Sequence, residues 1–224
     1  MFYKKLLTLL VISICTSIIS LEYSGELTLY VHPRYVVFSY AMALIAAAIS
    51  LFSLYSSEGS NQPDVHKLSF ITIGIVFAIL LLPARSLSQQ TAQNRLQSSQ
   101  TANKLSPVSY DAFSQDFTHF DIQDWTTYLA NKPALEQIVG KKAQLTAFVF
   151  DANNTRYLAR FQLSCCAVDA TPLTIEVSKN DISAILESGD WYEVTGSFDY
   201  IDDSYLFVMS DARAVDEPED PYVF

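Results

Sequence analysis

Long runs without charge fill the first third of the chain, and a strict two-residue alternation replaces them in the last third. Leu6–Leu21, Tyr35–Tyr55 and Leu68–Ala84 contain no charged side chain, and the second is 21 residues long. A helix that crosses a hydrocarbon layer takes roughly 17–25 apolar residues, so the pattern predicts three transmembrane helices near 5–21, 35–55 and 68–84. Tyr23, Tyr30, Tyr35 and Tyr55 suit interfacial positions. A cleaved signal peptide is the competing reading of the first run, although Ile18 and Ile19 spoil the small-x-small site it needs. Lys4 and Lys5 precede the first run, and Glu22 and Glu26 follow it. That asymmetry places the N-terminus inside and, after three crossings of the cell membrane, the C-terminal domain outside.

The segment 86–109 is rich in Ser, Gln, Thr and Asn and reads as a solvated tether or a weak juxtamembrane helix. From 110 to 224 the pattern is that of a separate domain. Asp121 can cap a helix bearing Ile122, Trp125 and Leu129, which Lys132-Pro133 ends. Strands are expected at Gln144–Phe150, Tyr157–Cys166, Leu173–Val177, Trp191–Tyr200 and Tyr205–Met209, with turns at Asp151–Asn154 and Ile201–Ser204. A short helix capped by Asn180/Asp181 falls between the third and fourth strands. Five strands in this order predict an OB-like barrel.

Composition changes the picture in one respect. Residues 1–104 hold seven Lys/Arg and four Asp/Glu, net +3, whereas 105–224 hold seven and twenty, net −13. An acidic domain repels phosphate backbones, so no nucleic-acid partner is expected. Phe148, Phe150, Phe161, Trp191 and Phe198 are therefore read as core and rim, not as base-stacking platforms. Six glycines satisfy no phosphate-loop template, and no enzyme signature stands out.

The most distinctive chemistry is the segment Phe161-Gln-Leu-Ser-Cys-Cys-Ala-Val-Asp-Ala-Thr-Pro172. In a regular strand Cys165 and Cys166 would point to opposite faces, so joint ligation requires a bend. Asp169 and Pro172 make a bend plausible. Three readings stay open: packing thiols, a vicinal disulfide in an oxidising exterior, or a metal site. In the last, Cys165, Cys166 and Asp169, with a further ligand such as His119, would hold a borderline-soft ion, zinc before calcium or magnesium.

The same segment resembles the signature of the YcgQ-like bacterial permease-subunit family, whose C-terminal domains carry Cys-Cys-x-Ala-Asp-Ala-x-Pro after a strand. Cys165, Cys166, Asp169, Ala170 and Pro172 fit, and Val168 stands in place of the usual Ala. His32-Pro33-Arg34 resembles the same family's N-terminal part. The resemblance implies an accessory subunit in a lipid bilayer, paired with a separately encoded polytopic permease, and makes His32 and Arg34 candidate partner contacts. The expected function is thus a permease accessory subunit whose external domain binds a partner or a metal ion. The alternatives are a membrane-tethered thiol- or metal-dependent enzyme and a ligand-binding adaptor.

Overall fold

The computed structural model describes residues 2–55, 85–99, 117, 119–131, 133–179 and 181–224. They divide into two compact units, Met1–Arg85 with Cys165–Ala167, and Ser86–Ser164 with Val168–Phe224.

The first unit is a helical hairpin. Helix α1 (Phe2–Tyr23) ends where Gly25 takes φ +76°, a left-handed conformation that costs glycine nothing. A short 3-10 turn, Glu26–Leu29, leads into α2 (Pro33–Tyr55). Pro33 occupies the first helical position, where its missing N–H costs nothing. The His32 ring caps that turn, its Nδ1 accepting from the Arg34 N–H at 3.0 Å. The two helices pack on each other, and the Cys15 thiol donates to the Ala43 carbonyl at 3.3 Å. Along α2, Val37, Phe38, Leu44, Ile45, Ile49 and Phe52 remain exposed.

The second unit is an α/β fold built on a six-stranded mixed sheet. Its strands are β1 (Lys142–Ala152), β2 (Thr155–Gln162), β3 (Thr171–Glu176), β4 (Trp191–Ile201), β5 (Ser204–Val215) and β6 (Tyr222–Val223). The first five pair antiparallel in the order β3-β2-β1-β4-β5, and β6 pairs parallel with β2. Val177, just past β3, makes a parallel bridge with Phe207 of β5. Both two-residue hairpins use left-handed residues, Asn153-Asn154 and Asp202-Asp203. Two consecutive positive φ values match the right-handed twist of the flanking strands, and Asn and Asp tolerate them best.

Among the described residues four helices decorate the sheet: α3 (Gln89–Ser99), α4 (Ile122–Ala130), α5 (Leu135–Ile138) and α6 (Asp181–Ala184). Asp121 caps α4 in a reciprocal box with Asp124, each carboxylate accepting from the other residue's N–H. That cap aims Trp125 into the core, where it is fully buried, 4.5 Å from the Phe198 ring and 5.2 Å from Phe117. Leu145, Ala147 and Val149 of β1 face this core. Phe148 and Phe150 alternate to the other face and are also buried. On β1 and β3 packs α3, with Ala92 fully buried and Gln93 Nε2 donating to the Asp151 carbonyl at 2.8 Å. The polar stretch at 89–99 is therefore a docked helix held by side-chain amides and not a solvated tether.

Several expectations are corrected here. No helix among the described residues is long and apolar enough to cross a membrane. The expected three-helix transmembrane anchor, and with it the multi-pass arrangement having N-terminus inside and C-terminal domain outside, is therefore not supported. The third expected span, 68–84, lies outside the described residues, as does most of 86–109 beyond Ser99. The OB-like five-stranded barrel gives way to a six-stranded mixed sheet, because Tyr222–Val223 adds a parallel strand that the acidic, proline-flanked tail did not suggest.

One position tests the β4–β5 pairing. The register shifts between Thr195 and Gly196, and a Cβ on Gly196 would sit 2.3 Å from the Val208 carbonyl oxygen and 2.8 Å from the Phe207 ring. Backbone cannot yield as a flexible side chain does, so Gly196→Ala should destabilise the domain by about 1–3 kcal/mol, the range for overpacking. Urea unfolding followed by Trp fluorescence measures it. An unchanged midpoint would mean that the strands separate freely at the bulge.

Candidate metal centre

The distinctive loop begins where β2 stops. In the expected strand Tyr157–Cys166 both cysteines belonged to the ladder, but β2 ends at Gln162. The fully buried Leu163 donates its N–H to the Val223 carbonyl at 3.1 Å, so the tail holds the chain at this point. Ser164 and Cys165 then bend, Ala167–Asp169 form a turn, and β3 starts at Thr171. The buried Ala170 anchors the return, its carbonyl accepting from the Arg95 guanidinium of α3.

Within this bend the two sulfurs lie 3.7 Å apart. A disulfide needs about 2.05 Å, so they are not bonded to each other. One ligand atom from each of Cys165, Cys166 and Asp169 lies within 4.8 Å of the others. Cys165 is exposed and Cys166 half-buried. The bend thus removes the geometric objection that adjacent strand residues must diverge. The Cys165 carbonyl accepts from the His32 N–H at 3.0 Å, the Ala167 N–H donates to the Tyr30 carbonyl at 2.8 Å, and Cys166 bridges Val31. These three contacts fix the backbone on either side of the thiols.

The other sequence candidates fall differently. His119 is exposed and outside the group of ligand atoms. His32 lies beside the thiol segment through its backbone, while its ring nitrogen serves as the cap of α2. Arg34 is exposed in the first turn of that helix.

Sequence reasoning missed Arg95 and Arg160. Arg160 projects from β2 onto the tail and donates to the carbonyls of Asp220, Pro221 and Tyr222. Its guanidinium also lies 5.8 Å from the centre of the Trp191 ring. Burial lowers its pKa from the ordinary arginine value, and the charges of Asp121 and Asp220 oppose that shift. The only available signal was an arginine on the polar face of a strand.

Fold and loop together define an α/β domain with a mixed sheet that displays vicinal thiols between β2 and β3. The chain belongs to the DUF1980 C-terminal domain family, whose description matches residues 97–224. No curated protein and no solved structure matches it.

Neighbouring thiols at this separation can be captured together. A trivalent aryl arsenical should bind the full chain one to one, and Cys165→Ser or Cys166→Ser alone should abolish the tight complex. Mass spectrometry of the intact adduct reads the result. Retention in both single variants would show that the thiols act separately.

Proposed function

We propose that the chain is an accessory subunit whose C-terminal domain holds a zinc ion on Cys165, Cys166 and Asp169. The observation that carries the metal reading is the 3.7 Å between the sulfurs. Two Zn–S bonds of about 2.3 Å at a tetrahedral angle span roughly 3.8 Å, so the thiolates need little rearrangement to share one ion. A carboxylate within the same group completes a mixed sulfur and oxygen set, which favours zinc over the all-oxygen shells of calcium and magnesium. Three protein ligands leave one tetrahedral position for water or for a donor from another molecule, an arrangement suited to transfer or sensing.

Partner binding rests on a separate observation. The exposed Val37, Phe38, Leu44, Ile45, Ile49 and Phe52 form a larger apolar set than a solvent-facing helix ordinarily shows. Under this reading α2 is the face that meets the partner. The YcgQ-like resemblance makes that partner a separately encoded polytopic permease.

Zinc content of the full chain after equilibrium dialysis, by elemental analysis, tests the site. The expected result is one zinc per chain, none in the Cys165→Ser/Cys166→Ser form, and affinity weakened by more than about tenfold in Asp169→Asn. Equal zinc in the wild type and the double variant would leave the cysteines as packing residues. For the partner, co-expression with a permease of the resembled family should give a complex that Phe38→Asp/Phe52→Asp disrupts. If the complex survives that double substitution, α2 is not the docking face.

A further inference from the structure

On the side of the sheet where β3 meets the β4–β5 hairpin lies a cleft of about 450 Å³. That is within the size range of small-molecule sites, roughly 300–1,000 Å³. Tyr157, Tyr200 and Tyr205 supply its aromatic wall, and Glu176 and Asp203 its charges. Leu129 of α4 contributes an apolar patch, and no cationic side chain is among the described lining residues.

Two of the tyrosine hydroxyls here already have partners. The Tyr205 hydroxyl donates to the Pro133 carbonyl at 2.5 Å, and the Tyr200 hydroxyl donates to Asp203 Oδ1 at 3.3 Å. The Tyr200 and Tyr205 rings meet at 60° with centroids 5.2 Å apart, a tilted aromatic corner in the lining. Tyr157 stands opposite Glu176 in the β2–β3 register. Burial first, then the Glu176 charge, raises the Tyr157 pKa above the ordinary phenol value, so this ring stays neutral. The cleft therefore offers aromatic faces and net negative charge while two of its hydroxyls are engaged elsewhere.

A cation without N–H donors matches this lining best. Such a cation is attracted by ring faces and by nearby carboxylates, and it needs no hydrogen-bond acceptors. We propose that this cleft binds a small quaternary ammonium ligand, seated in the Tyr200–Tyr205 corner with Glu176 and Asp203 supplying counter-charge. This site is separate from the thiol loop, and its occupancy does not depend on zinc.

Calorimetric titration of the full chain with choline and with its uncharged isostere 3,3-dimethyl-1-butanol separates charge from shape. Choline should bind at least about tenfold more tightly than the alcohol, the factor expected from a cation–π contact in a partly desolvated site. Glu176→Gln, which preserves shape, should weaken choline several-fold and leave the alcohol unchanged. Tyr200→Ala, at a half-exposed position on the hairpin, should weaken choline further. Equal affinity for the two probes, no binding of choline at millimolar concentration, or choline binding unaffected by Glu176→Gln would each overturn the proposal.

Discussion

The pinning of the C-terminal tail along β2 is the constraint on which the rest of the second unit depends. β1 accompanies β2 only as far as the Phe148–Ala159 pair. Beyond it Phe161 and Gln162 would present bare backbone groups, a costly state for a buried strand. Tyr222 and Val223 fill that edge in parallel register, and Arg160 secures them by gripping three successive tail carbonyls. The Leu163 N–H donates to the Val223 carbonyl, and the chain leaves β2 there to enter the bend that carries the thiols.

This explains what was legible in the sequence and what was not. Local signals were reliable. The asparagine and aspartate pairs at the hairpins fall where left-handed turns are needed, and Asp121 caps the helix that buries Trp125. Alternation marked β1 and β4 because one face of each packs on the core. The end of β2 was not legible, since alternation continues through Cys165 while the ladder ends at Gln162. The partner of its last two residues lies some 60 positions away in the tail. Likewise α3 lacks an apolar stripe, so only its tertiary contacts reveal that it packs.

Charge shows how the two proposed sites acquire their character. Three arginines of the acidic half are engaged structurally. Arg156 makes a two-point pair with Asp151, at 2.8 and 2.9 Å, and also donates to the Ser183 carbonyl. Arg160 serves the tail, and Arg213 pairs with Glu193 at 2.6 Å. Carboxylates outnumber these cations heavily, and Glu176 and Asp203 stand at a cleft with no described cation in its lining. The excess charge is therefore presented to solvent, where it concentrates cations near the surface. Both the thiol loop and the tyrosine cleft inherit that field, one adding soft donors and the other aromatic faces.

Adjacent cysteines impose a further constraint on the loop. Metal ligation and direct disulfide formation compete for the same two sulfurs, and they require different separations, about 3.8 Å and about 2.05 Å. Backbone bonds at Cys165 and Ala167 hold both sides of the pair, and Arg95 holds the return at Ala170. A vicinal disulfide must pull the sulfurs together by more than an ångström and a half against those restraints, whereas a tetrahedral ion accepts them where they stand. The sulfur separation thus suits the proposed ion without supplying it. Asp169 is the last residue of the turn at Ala167–Asp169, and its carboxylate lies in the same group of ligand atoms. The geometry of the proposed ligand set therefore rests on the bend and the turn of its own loop.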